Sequence, residues 1–247
     1  MSEDGTDRVL NEFRAVMVEP GATVDFAALG SSDAMQQLRR DEEARSLTDW
    51  ANLGRYRAQN EAVRAGRAPD AVFIGASIVE NWAQADPGFF ERGRVNRGIG
   101  GQTSAHVLLR FAADVVRLRP RVVHLLVGTN DVAGNAGPVS DEDFQNNVTC
   151  MVDIATAHGI AVVLGSITPA ASIPWQPQAD PAPTIARWNS WLSELAAQRG
   201  IVFADYVPVL ADAAGGMRAD LTNDGVHPHR RGYELMRPIA ERALREA

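Results

Sequence analysis

From residue 70 onward, short apolar runs alternate with stretches of helical spacing. "AVFIG" (71–75), "VVHLLVG" (122–128), "AVVLGS" (161–166) and "IVFAD" (201–205) are nearly unbroken in apolar residues. A strand covered on one face alternates apolar with polar, so an unbroken run calls for cover on both faces, as in a parallel sheet between helical layers. Between these runs, apolar residues at three- and four-residue intervals predict helices at about 103–118, 141–158, 184–199 and 229–245. A weaker strand near Val95 makes a fifth. This order predicts an α/β fold, a three-layer doubly wound sandwich with a central, mostly parallel five-stranded sheet of flavodoxin-like kind.

Residues 1–67 show helical spacing and few strand signals, with Leu47, Trp50, Leu53 and Tyr56 recurring along one stretch. They are expected to form an N-terminal helical extension packed on a domain spanning 68–247. The 247 residues fit one domain with a substantial core. A balance of 24 basic against 31 acidic residues, net −7, gives no broad basic field for nucleic acid or anionic lipid, so a small-molecule partner is expected. The single cysteine, Cys150, excludes an intrachain disulfide framework, and its setting in "NNVTCMVDIA" predicts a buried place in a helix. The first residues, "MSEDGTDRVLNEF", lack a signal-peptide pattern, and no run of about 18 apolar residues occurs. A cytoplasmic chain without integral membrane association is expected, although a secreted chain trimmed of its leader would look the same.

In a doubly wound sheet, ligands sit outside the carboxyl ends of the strands. The residues just after the predicted strands therefore matter most. Ser77 follows the first, in "VFIGASIVENW"; "NRGIGGQTSAH" lies near the second, "GTND" follows the third, and "NDGVHPH" precedes the last helix. Each piece has an ordinary reading. Serine is a preferred helix N-cap, Gly, Asn and Asp together form turns, and Pro228 suits the first position of a helix. "GIGGQT" lacks both GxGxxG spacing and a following Lys-Ser/Thr, which excludes dinucleotide and P-loop sites. Val79 stands where the GxSxG elbow needs its last glycine.

Taken in order, "GAS", "GIGGQT", "GTND" and "DGVHP" resemble the four blocks of the SGNH/GDSL hydrolase superfamily of esterases and lipases, over about residues 70–240. The wording around the second and third blocks is most similar to the platelet-activating-factor-acetylhydrolase-like and lysophospholipase-like branches. The resemblance implies a serine ester hydrolase without cofactor, with Ser77 as nucleophile and Asp224 and His227 completing a catalytic triad. It also implies an oxyanion hole from the Ser77 and Gly101 backbone N–H groups and the Asn130 side chain. One position departs. Ala76 replaces the acid that normally precedes the serine, and alanine cannot accept the amide hydrogen bonds a carboxylate would. This attenuating departure keeps a second reading open, a catalytically weak module that binds lipid or carbohydrate.

The chemistry explains the residue types. A serine hydroxyl is a weak nucleophile until a base takes its proton, and imidazole is the side chain that ordinarily changes charge near neutrality. An aspartate three residues before it can hold the other ring nitrogen and fix the tautomer. Pro228 keeps His227 away from helical angles. Losing one oxyanion donor typically costs about 10² to 10³ in rate, which is the weight Asn130 would carry. The other histidines have structural settings: His124 inside a strand, His106 on a helix, His158 before a helix-ending glycine, and His229 at a helix start. A zinc site from Asp224, His227 and His229 lacks a supporting ligand cluster, so no metal is expected. The proline-rich "TPAASIPWQPQADPAP" (168–183) predicts a loop over the pocket mouth. Trp175 within it and Trp82 are candidates to line a substrate pocket, with core packing open for either. Short-acyl, lysophospholipid-like and acetylated-carbohydrate esters all fit.

Overall fold

The computed structural model describes residues 14–22, 33–91 and 93–247. Its strands are β1 (Ala71–Gly75), β2 (Arg94–Gly98), β3 (Val122–Leu126), β4 (Ala161–Gly165) and β5 (Val202–Ala204). They form one parallel sheet in the order β2-β1-β3-β4-β5. Every residue of β1 and β3 is buried, which is what their unbroken apolar runs require. Successive residues point to opposite faces, so Val72 and Ile74 join one core cluster while Ala71 and Phe73 join the other. The first cluster packs helices Ser104–Asp114, Asp141–Ala157 and Pro181–Arg199 through Phe111, Phe144 and Trp188. The second packs helices Ser77–Ala85 and Arg230–Glu246 through Trp82, Tyr233 and Met236. Burying a side chain of this size is worth about 1.5–3 kcal/mol, and truncating Phe73 at the centre of the second cluster would cost about 3–5 kcal/mol.

The predicted strand near Val95 is β2, an edge strand whose sequence "RVNRG" is half polar. The chain begins the sheet one strand in from its edge, passes from β1 out to β2, and returns to β3 on the other side of β1. That reversal opens a crevice between the carboxyl ends of β1 and β3. Ser77 follows β1, and the short helix Thr129–Val132 follows β3, so both flank the crevice.

Two local expectations are corrected. The stretch 47–56 is a series of turns between the helices Asp33–Ser46 and Arg57–Ala65, with Leu47, Trp50 and Leu53 all exposed. The Asp49 carboxylate accepts the N–H groups of Leu53 and Gly54, a local alternative to helical bonding. Cys150 is exposed. It precedes Met151 of the buried row Phe144, Val148, Met151 by one position, which turns it about 100° off that stripe.

From the N-terminal side, Met17 and Val18 are buried, and the helix Arg57–Ala65 inserts Asn60 against Asp114.

Candidate active site

The junction after β1 is built on close approach. A Cβ on Gly98, at the end of β2, would lie 2.1 Å from the Glu80 backbone nitrogen, so only glycine lets the strand meet the helix that carries Ser77. Ala76 is the N-cap of that helix and makes no side-chain cap bond. Ser77 is its first helical residue, which excludes the capping role for its hydroxyl. Ser77 Oγ instead lies 2.8 Å from His227 Nε2.

His227 and Asp224 share a short loop. His227 Nδ1 is 2.6 Å from Asp224 Oδ2, while Asp224 Oδ1 accepts the N–H groups of Val226 at 2.9 Å and His227 at 2.8 Å. The Asp224 carboxylate is fully inaccessible to solvent. Burial alone would push its pKa up, but the His227 ring and the two N–H donors outweigh burial and hold it below the usual carboxylate range. An ionised Asp224 can only accept, so Nδ1–H donates to it and Nε2 is left to accept from the Ser77 hydroxyl. Tyr233, in the last helix, donates its hydroxyl to the Ile78 carbonyl at 2.8 Å and ties the helix that carries Ser77 to the helix that follows the His227 loop.

The second loop is held differently. Gly100 N–H donates to Glu80 Oε2 at 2.8 Å, and Glu80 Oε1 lies 2.7 Å from an Arg14 guanidinium nitrogen. Burial pushes the Glu80 carboxyl up, against the opposing pull of Arg14, the Gly100 N–H and Arg55. Gly101 adopts φ +78°, a conformation that L side chains rarely take, and sits exposed at the tip. Among the described residues, neither the Gly101 N–H nor the Ser77 N–H has a protein acceptor. Asn130 Nδ2 donates to the Gln102 carbonyl at 2.9 Å. Beneath them, the buried Arg110 guanidinium donates to Gln102 Oε1 at 2.6 Å, to Asp114 Oδ2 at 2.9 Å and to the Gly75 carbonyl at 2.8 Å. Gln102 Nε2 reaches the Ala51 carbonyl at 2.7 Å, and the Tyr56 hydroxyl donates to the Gly98 carbonyl.

Ser77, Asp224, His227, Gly101 and Asn130 therefore gather at one edge of the sheet. Trp175 joins them, its ring stacked beside that of His227 with centroids 5.8 Å apart. Trp82 does not. It is fully buried among Phe73, Phe89 and Tyr233 on the far side of its helix, in line with Ile78, Val79 and Ala85, so it is part of the core. His124 is buried against the Tyr206 hydroxyl, and burial lowers its pKa to about 3; His106, lowered to about 4 by burial, stacks on Trp50. Among the described residues no three His, Cys, Asp or Glu side chains converge as a metal site would need.

Glu80 and Arg110 were not singled out in the sequence. The signal was there: each is a charged residue in a row of buried neighbours, Glu80 between Val79 and Trp82 and Arg110 between Val107 and Phe111. A charge in such a row must find partners.

Residues 73–235 match the model of the GDSL-like Lipase/Acylhydrolase family. A solved GDSL-like lipase from Bacteroides thetaiotaomicron VPI-5482 is 35% identical and superposes with a TM-score of 0.75 over 80% of this chain and 98% of its own. Esterase TesA of Pseudomonas aeruginosa is 30% identical over 161 residues, 63% of this chain and 73% of TesA. The uncharacterized lipoprotein YqeF of Bacillus subtilis is 35% identical over 85 residues, and the chain spans 35% of that protein's length. A match across most of the sheet, from inside β1 to the start of the last helix, assigns the chain to the GDSL-like lipase/acylhydrolase family.

Proposed function

We propose that the chain hydrolyses carboxylic esters through an acyl-enzyme on Ser77. Family membership makes it a carboxylic ester hydrolase; the roles of individual residues are our reading of the geometry. The observation that carries it is the continuous hydrogen-bonded chain from Ser77 through His227 to Asp224. Ser77 Oγ attacks the ester carbonyl carbon as its proton passes to His227 Nε2, and the buried carboxylate of Asp224 stabilises the imidazolium. The tetrahedral oxyanion is received by the unused N–H groups of Ser77 and Gly101 and by Asn130 Nδ2. Collapse breaks the bond to the alcohol, which leaves with the proton from His227. Water then attacks the acyl-enzyme and gives a proton to the same nitrogen; collapse breaks the bond to Ser77 Oγ, which takes that proton back from His227 as the acid leaves.

The substrate is a small ester, and no cofactor takes part in these steps. Trp175 stands beside His227, on the side from which the alcohol departs, and lines that part of the pocket. The N-terminal extension acts with the 68–247 domain as one unit, since its residues support the second loop. No helix among the described residues is long and apolar enough to cross a membrane. Ala76 attenuates in this scheme because it leaves the helix at Ser77 uncapped. The alternative, a weak lipid- or carbohydrate-binding module, rests on that residue alone.

Labelling with a fluorophosphonate, followed by mass spectrometry, is expected to modify Ser77. Release of p-nitrophenol from acetate through octanoate esters, beside lysophospholipid and acetylated-sugar substrates, should then rank the acyl and alcohol groups. A folded protein that leaves Ser77 unlabelled and turns over none of these would overturn the reading. In the same assay Ala76→Asp is expected to raise kcat more than it changes KM, because aspartate is a strong N-cap worth about 1 kcal/mol. An equal or lower kcat in a folded variant means that position 76 does not attenuate.

A further inference from the structure

Asn130 holds its amide in a row of hydrogen bonds that reaches the loop over the site. Trp175 Nε1–H donates to Asn135 Oδ1 at 3.0 Å. Asn135 Nδ2 donates to Asn130 Oδ1 at 2.8 Å, and the same nitrogen lies 3.5 Å from the Gly101 carbonyl. Asn130 Nδ2 then donates to the Gln102 carbonyl at 2.9 Å. The two ends of this row leave no choice to the middle. An indole N–H can only donate and a backbone carbonyl can only accept, whereas an amide side chain can turn over and present either group. With an indole at one end, Asn135 must turn its oxygen to Trp175 and its nitrogen to Asn130. Asn130 must then present its oxygen to Asn135, and its nitrogen faces Gln102 and the reacting centre.

We propose that Asn135 is a positioning residue for ester hydrolysis, and that with Trp175 it sets the polarity of the Asn130 amide so that an N–H, not an oxygen, meets the oxyanion. The proposal rests on Asn130 serving as an oxyanion donor. A turned amide would place a carbonyl oxygen against developing negative charge, which is worse than no donor at all. Asn135 touches no reacting atom in this scheme. Its backbone N–H also donates to the Asn130 carbonyl at 3.0 Å, so the two asparagines are held at fixed separation by the turn between them. Trp175 belongs to the 168–183 loop, which couples the order of that loop to the orientation of the oxyanion donor. A substrate that packs on Trp175 therefore steadies the site that will bind its transition state.

The test is a set of cycles on p-nitrophenyl acetate. Asn135→Ala and Trp175→Phe are each made in the wild type and in Asn130→Ala. Phenylalanine keeps a ring beside His227 and removes only the N–H. Each single variant is expected to lower kcat about tenfold, with KM changed less than about twofold. Neither is expected to lower kcat further once Asn130 is alanine, because the group being oriented is gone. Wild-type kcat in Asn135→Ala, or a loss that persists in the Asn130→Ala background, overturns the relay. If Asn130→Ala itself keeps full kcat, the oxyanion role of Asn130 fails and the relay with it. Fluorophosphonate labelling of Ser77 in every variant reports the acyl-enzyme reading separately from these outcomes.

Discussion

The loop that carries Asp224 and His227 takes most of its hydrogen bonds from its own residues, with Asn223 also donating to the Met17 and Glu19 carbonyls, and the loop that carries Gly101 is held by partners from across the molecule. In the first, the Asp224 carboxylate takes N–H groups two and three residues away, the Thr222 hydroxyl donates to the His227 carbonyl at 2.7 Å, and His229 N–H closes on the Leu221 carbonyl at 2.8 Å. In the second, Glu80 holds Gly100 from 20 positions away, Asn130 holds Gln102 from 28, and Ala51 holds Gln102 from 51. A local loop carries its geometry wherever it is docked. A loop held from a distance has the right shape only when the rest of the fold is in place, and its supports include buried charges that depend on one another.

The comparison can be broken hardest at the base loop. Asp224→Asn keeps an oxygen for the Val226 and His227 N–H groups, so the fold is expected to survive. Its amide nitrogen, however, meets His227 Nδ1 and imposes the wrong tautomer. A fall in kcat on the order of 10⁴-fold with thermal stability nearly unchanged is expected. A large loss of stability would show that this loop is not self-sufficient.

Glu80→Ala probes the other loop. Freeing the Gly100 N–H lets the Gly101 tip drift, and a misplacement of about 1 Å costs on the order of 10²-fold in kcat. The pH profile of kcat/KM should keep its midpoint, since the base loop is untouched. A shifted midpoint would mean that the two loops are not separable.

The smallest effect sharpens the role of buried charge on the second side. Burial raises the Asp131 carboxyl to about 6, against the N–H and hydroxyl of Ser104 that donate to it. A raised value means the folded state binds the proton more tightly than the unfolded chain. This group therefore favours folding below the unfolded value, and its contribution is lost as pH rises from about 4 through about 6. The shift corresponds to on the order of 2–3 kcal/mol. Asp131→Asn removes the titration, so wild-type Tm is expected to fall relative to the variant across that window. Parallel curves would place Asp131 outside this account.

The same contrast decides what could be read from the sequence. "DGVHP" is legible because acid, turn and base sit within four residues and their geometry is local. β1 and β3 were legible because burial on both faces leaves an unbroken apolar run. Glu80, Arg110 and Asn135 were not, because each also depends on a partner distant in the chain, Gly100 for Glu80, the Gly75 carbonyl for Arg110 and Trp175 for Asn135, that only the fold brings close. Trp82 shows a different limit. Nearness to Ser77 in sequence suggested the pocket, but the helix turns it to the opposite face, where Ile78, Val79 and Ala85 also point. The turns at 47–56 carry helical spacing without being helix, because Asp49 takes the amides of Leu53 and Gly54 that a helix would need.

The 150 positions between Ser77 and His227 also have a meaning in time. At about 5–20 residues per second, a ribosome makes the nucleophile roughly 8–30 s before it makes the base. Through that interval Phe73 and Trp82 lack the helix Arg230–Glu246 that finally covers them. The nascent chain thus waits with an open aromatic face and an unactivated serine, and the arrival of one segment closes the first and switches on the second.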